Sequence, residues 1–136
     1  MSPSVQIRTD VLASLIVHAR RDPRIECCGL LAGPAGTITR AYPAENVAND
    51  PSTAYEIAAR EIVHVAREIR TAGLELLGLY HSHPNGKGEP SPTDIAMAGY
   101  PDAAYFIILP GADLERPVRA FSIRDGQVAE LEVVQI

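Results

Sequence analysis

Apolar residues recur along this chain with two different periods, and the switches between them mark out its elements. From Thr9 to Arg21, Val11, Leu12, Leu15, Ile16 and Ala19 fall on one stripe at helical spacing, the signature of an amphipathic helix. Thr9 is its expected N-cap. Asp22-Pro23 ends it, because the residue before a proline disfavours the helical region. Ile25 to Ala32 is a short apolar run closed by Gly33-Pro34, and reads as a buried strand. A second strand is expected from Thr37 to Pro43. A polar connection from Asn46 to Thr53 leads to a helix over Ala58 to Thr71, with Ile62, Val65, Ala66 and Ile69 inward and Gly73 as its stop. Leu74 to His83 reads as a central strand. After the Asn85–Pro90 loop come a short helix from Pro92 to Ala98 and a buried strand from Ala103 to Leu109. Val118–Arg124 and Gln127–Val134 flank Asp125-Gly126, a hairpin turn signal. Helices interleaved with strands predict an α/β fold, a mixed β-sheet layered with helices.

Composition narrows the function classes. A chain of 136 residues fits one domain over residues 1–136, long enough to bury a core. A net charge of −5 with scattered basic residues, only Arg20 and Arg21 adjacent, argues against a nucleic-acid partner, which demands clustered Lys and Arg. Met1 to Asp10 has neither a basic n-region nor an apolar h-region, so no secretory signal is expected. No apolar run approaches the ~20 residues needed to span a bilayer, and no membrane partner is expected. Cys27 and Cys28 are neighbours, a poor geometry for a disulfide. A reduced, cytoplasmic protein is the simplest reading.

The chemistry concentrates in His81 to Asp94, H-S-H-P-N-G-K-G-E-P-S-P-T-D. His-x-His at the end of a strand points both imidazoles to one face, and Pro84 ends the strand at an open edge. Ser91-Pro92-Thr93-Asp94 is a helix start, with Ser91 at N-cap, Pro92 at N1 and an acidic residue at N3. The helix dipole keeps Asp94 ionised, which suits an anionic ligand. His81, His83 and Asp94 thus make a three-ligand zinc site with one open position, the arrangement of a catalytic zinc. If Ser91 accepts the cap hydrogen bond, its own proton remains to donate to an oxyanion. Glu26 lies within an apolar strand, where a carboxylate is costly unless paired or functional. The pattern alone leaves it either a general base or an edge residue reaching solvent.

Glu26 before Cys27-Cys28-Gly29-Leu30-Leu31, with His-Ser-His-Pro and Ser-x-x-Asp downstream, resembles the JAMM (MPN-plus) zinc metalloproteases, especially small bacterial members that process sulfur carriers. Asn46-Val47-Ala48 and Gly78-Leu79-Tyr80 extend the likeness. The resemblance implies Zn2+ held by His81, His83 and Asp94, Glu26 as general acid/base, and Ser91 supporting the tetrahedral intermediate. It also implies a cytidine-deaminase-like JAMM/MPN fold. The expected partner is a ubiquitin-like β-grasp or sulfur-carrier protein with a Gly-Gly tail. Two alternatives stay open: a zinc hydrolase of small amides, and a non-catalytic MPN scaffold module. A nucleoside deaminase is disfavoured, because its His-x-Glu and Pro-Cys-x-x-Cys signature is absent. Cys28 reads as a small buried hydrophobe, although it shares strand parity with Glu26. The Asn85–Gly88 stretch reads as a lip over the cleft. Tyr55 and Tyr80 read as core or strand-edge aromatics, and His18 and His64 as exposed or partly packed.

Overall fold

The computed structural model describes residues 3–111 and 116–136. Its strands are β1 (Ser4–Ile7), β2 (Cys28–Gly33), β3 (Thr37–Ile38), β4 (Arg40–Ala44), β5 (Glu75–Ser82), β6 (Ala104–Ile108), β7 (Val118–Arg124) and β8 (Gln127–Gln135). They form one eight-stranded sheet in the order β3-β1-β8-β7-β6-β5-β2-β4. The sheet is mixed, as expected: β1 runs parallel to β3 and β8, and β5 to β6, while the other pairs are antiparallel. The helices are α1 (Thr9–Arg21), α2 (Ala59–Thr71) and α3 (Pro92–Met97).

Some expectations need correction. The strand expected over Thr37–Pro43 is two strands, divided at Thr39, whose N–H turns to the Ala32 carbonyl. The divided halves pair with opposite ends of the sheet, β3 with β1 and β4 with β2. The sheet must therefore curl until its two edges approach one another. Strand β1 has no counterpart in the sequence reading, because Ser4–Ile7 is too short and half-exposed to announce itself. Thr9 is the first residue of α1 and not its cap; the N-cap position is Arg8, without a side-chain cap bond. Asp10 takes that part instead, its Oδ1 accepting from the Val11 N–H at 2.9 Å.

Strand alternation divides the core between two faces. On one, α1 buries Val11, Leu12, Leu15 and Ala19 against Leu31, Tyr80, Phe106 and Ile108. On the other, α2 buries Val65 and Ile69 against Cys28, Leu30 and Ala32. Ala66, expected inward, is exposed. The short α3 covers Leu79, Tyr105 and Ile123 through Ile95. Gly29 and Tyr80 are partners across β2–β5. A Cβ on Gly29 would lie 2.5 Å from the Tyr80 ring and 2.6 Å from the Tyr42 carbonyl. The missing side chain lets the tyrosine lie flat across β2 and reach His18, whose Nδ1 is 2.8 Å from the Tyr80 hydroxyl. At the hairpin, Asp125 and Gly126 both have positive φ, 49° and 76°, the backbone of a type I′ turn. Among the described residues, no helix is long and apolar enough to cross a membrane.

Candidate metal centre

β5 ends at Ser82 and delivers His81, its penultimate residue, and His83, just past it, to the same side at its carboxyl end, where open α/β sheets leave a crevice. Their Nε2 atoms stand 2.9 Å apart. The start of α3 supplies the third group. Ser91 and Asp94 form a reciprocal capping box, with Asp94 N–H donating to Ser91 Oγ at 3.0 Å and Ser91 N–H to Asp94 Oδ2 at 2.9 Å. That box aims Asp94 Oδ2 at the histidines, 3.1 Å from each Nε2. Tetrahedral zinc with ligands at 2.0–2.1 Å sets neighbouring donors roughly 3.3 Å apart. The triangle of His81, His83 and Asp94 needs only to open by a few tenths of an ångström, so the donor set fits such an ion.

A second carboxylate borders the same pair. Glu26, His81 and His83 each offer a donor atom within 4.8 Å of the others. Electrostatics separates the two acids. Burial opposes ionisation of Asp94, but the hydrogen bonds with His81 and His83 outweigh it and hold that carboxyl well below the usual range. Burial pushes Glu26 the other way, up to about 7, with His83 opposing and Asp94 reinforcing the rise. Its Oε1 is buried without a hydrogen-bond partner. In the metal-free chain Asp94 is thus held ionised, while Glu26 is the carboxyl that burial keeps protonated toward neutrality.

The histidines are held differently. Burial acts to lower the His83 pKa, but Asp94 and the Lys87 carbonyl outweigh it and raise it. His83 Nδ1 lies 2.6 Å from that carbonyl, which places its proton on Nδ1 and leaves the Nε2 lone pair facing the centre. His81 is almost fully buried, and burial lowers its pKa against the pull of Asp94. Its ring stacks on Tyr55, centroids 4.5 Å apart and planes at 23°.

The cleft in front measures ≈ 270 Å³ and is lined by Glu26, Ser52, Thr53, His83, Ser91 and the Pro84–Lys87 turn. A larger cavity of ≈ 450 Å³ lies against α1 and contains none of these groups, so volume alone does not mark the site. Ser91 Oγ accepts the cap bond, as its position implied, and keeps its proton to donate.

The structure brings all five expected residues, Glu26, His81, His83, Ser91 and Asp94, to one place. It corrects one detail. Glu26 lies outside the ladder, two residues before β2, so it is a buried residue of the lead-in segment and not a strand position. Cys28 is the small buried hydrophobe expected: its Sγ points to the Ala44 carbonyl, 3.8 Å away, within the α2-side core. Nothing in the sequence reading marked the part three residues take at the site: Tyr55 beneath His81, Ser82 between the histidines, and Asn46 on the Glu26 carbonyl. Ser82 lies on the opposite strand face from its neighbours, which the H-S-H pattern shows once strand parity is applied.

Residues 8–124 match the family model described as prokaryotic homologs of the JAB domain. Over 115 residues the chain is 40% identical to a desampylase of Haloferax volcanii, covering 80% of this chain and 83% of that one. It is 36% identical over 126 residues to the CysO-cysteine peptidase of Mycobacterium tuberculosis, covering 91% and 86%. A crystal structure of a JAB1/MPN domain protein from Archaeoglobus fulgidus superposes with a TM-score of 0.66 at 21% identity, covering 96% of this chain and 99% of that one. The match runs from α1 through β7 and takes in every residue of the histidine–carboxylate centre, so the chain belongs to the prokaryotic JAB-domain family, the hydrolases of the JAMM/MPN fold.

Proposed function

We propose that this chain, acting as one domain over residues 1–136, is a zinc-dependent metallopeptidase. Its substrate is the amide bond after the C-terminal Gly-Gly of a ubiquitin-like or sulfur-carrier protein. The observation that carries the reading is the triangle of His81 Nε2, His83 Nε2 and Asp94 Oδ2 beside a Glu26 carboxyl whose pKa is pushed to about 7. Relatives named as a desampylase and as a CysO-cysteine peptidase support the substrate class.

His81, His83 and Asp94 would hold the ion, and two nitrogens with one carboxylate oxygen suit zinc. Zinc held there supplies Lewis acidity toward the scissile carbonyl. Glu26 takes the proton of the attacking water and passes it to the leaving nitrogen; its carboxyl is buried at the centre with Oε1 unpaired, free to accept that proton. Ser91 Oγ–H donates to the developing oxyanion, since its lone pair already serves the cap. The Lys87 carbonyl fixes the His83 ring. Cys27 and Cys28 are buried free thiols, which suits a reducing cytoplasm.

The test is mass spectrometry of a Gly-Gly-tailed sulfur carrier extended by a C-terminal cysteine, incubated with the zinc-loaded protein. Loss of the extension with the native chain, and its retention with Glu26→Gln or with chelator, is the expected result. No cleavage by stoichiometrically zinc-loaded protein would reject the carrier as substrate.

A further inference from the structure

Glu26 must hold its carboxyl on the cleft with less than one proton-transfer distance of error, yet it lies outside any strand ladder. We propose that Asn46 and Ser82 are positioning residues for Glu26, gripping the backbone on both sides of it. The inference rests on the acid/base role assigned to Glu26 above.

Ser82 grips the flanks. Its hydroxyl, fully buried, accepts from the Cys27 N–H at 2.8 Å and donates toward the Ile25 carbonyl at 3.4 Å. Its own N–H donates to the Cys27 carbonyl at 3.1 Å. The residue between the two histidines therefore ties the Glu26 segment to the strand that carries them. Asn46 grips Glu26 itself. Its Nδ2 donates to the Glu26 carbonyl at 2.9 Å and to the Ala54 carbonyl at 3.0 Å. Its Oδ1 accepts from Ala48 N–H at 3.0 Å and Glu56 N–H at 3.1 Å. Two donor bonds and two acceptor bonds use the full capacity of an amide, and the opposite flip would break all four. The loop that Asn46 gathers then closes the remaining point, because the Pro51 carbonyl takes the Glu26 N–H at 2.7 Å.

Glu26 thus has both backbone polar groups fixed without a ladder, and its two neighbours are fixed by Ser82. The same loop carries Tyr55 onto His81 and places Ser52 and Thr53 in the cleft wall. A clamp built this way sets the distance between the carboxyl and the histidine centre. The Asn46 amide and the Pro51 carbonyl meet Glu26 itself and the Ser82 bonds meet its two neighbours, so the clamp closes around the residue that moves the proton.

Asn46→Asp breaks the grip. An aspartate retains an acceptor for Ala48 and Glu56 but loses both donors, so the tie to the Glu26 carbonyl becomes a repulsion. Ser82→Ala is the second variant, attacking the clamp from the other side. Bound zinc, melting temperature, kcat and KM would be measured on the cysteine-extended Gly-Gly carrier, under single-turnover conditions where needed. Each variant would be made alone and on the Glu26→Gln background. A misplaced acid/base is expected to lower kcat about 10- to 100-fold, with zinc stoichiometry and KM within about twofold. On the Glu26→Gln background, the same substitutions should cost less than about twofold, because residues acting as a unit are not additive.

Equal losses in both backgrounds, or undiminished kcat in whichever variant folds, would overturn the clamp while leaving Glu26 as the acid/base. Full turnover by Glu26→Gln alone would overturn the acid/base role and the clamp with it.

Discussion

Replacing Glu26 by glutamine should stabilise the metal-free protein at neutral pH while abolishing its activity. Glu26 is 5% exposed, and burial raises its pKa from an ordinary 4.5 to about 7. The folded chain therefore holds the Glu26 proton more tightly than the unfolded chain does. Between those two values the folded state binds more protons, so stability falls as pH rises, and the full penalty remains above 7. At about 1.4 kcal/mol per pH unit the span corresponds to about 3 kcal/mol. Because the carboxyl borders an open cleft, water screens part of this, and about 1–3 kcal/mol is the working range. Glutamine keeps the shape and cannot ionise. Urea unfolding of chelator-treated native and Glu26→Gln protein, from pH 4.5 to 8, reads the effect directly. The two should be nearly equal at pH 4.5, and the variant should gain steadily until about pH 7. A difference that does not grow with pH, or a variant less stable at pH 7.5, would refute the burial argument. Zinc loading should shrink the gain, because a nearby cation favours the ionised glutamate.

Other parts of the fold give independent predictions. Alanine at His81, His83 or Asp94 should each remove stoichiometric zinc and cleavage together, read by elemental analysis and by the carrier assay. Normal zinc retention in Asp94→Ala would move the third ligand to Glu26. Gly29→Ala would drive a methyl into the Tyr80 ring and the Tyr42 carbonyl, and should cost about 1–3 kcal/mol; an unchanged denaturation midpoint would contradict that packing. His18 has its pKa lowered, chiefly by burial and then by Arg21. The unfolded chain takes that proton first, so the His18 contribution is fully present above about pH 6.5 and is lost as pH falls. His18→Gln should flatten that loss in unfolding experiments between pH 7 and 5, and an unaltered slope would disprove it.

The site was more legible than the sheet that carries it. His81, His83, Ser91 and Asp94 belong to one 14-residue stretch in which strand parity, a proline stop and a capping box are all local rules. Each rule acts over a few residues, so reading them in order brings three donors to one point. Glu26 stood out as a carboxylate in an apolar run, but only resemblance decided its role, because its burial depends on the connection at Asn46–Glu56 folding back over it. Nothing in Ile25–Cys27 announces that closure. The curl of the sheet was hidden for a related reason. Thr37–Pro43 has the composition of one strand, and only the presence of β1 and β2 at opposite ends splits it at Thr39. Pairing partners distant in sequence decide such breaks.

The residues that sequence reading passed over share one physical trait: they act through the backbone or through a ring face. Metal donors announce themselves by element type, since imidazole and carboxylate are needed whatever the fold. Asn46 and Ser82 are ordinary polar residues until the carbonyls and N–H groups they meet are known. Tyr55 is an ordinary core aromatic until it is found beneath His81. A buried Glu26 with a pKa of about 7 weakens the fold at the pH where it is useful. It persists because four backbone groups around it are satisfied by partners that do not titrate with it. The clamp leaves the carboxyl itself desolvated, with Oε1 unpaired, so the hydrogen bonds fix the position of Glu26 while burial tunes it.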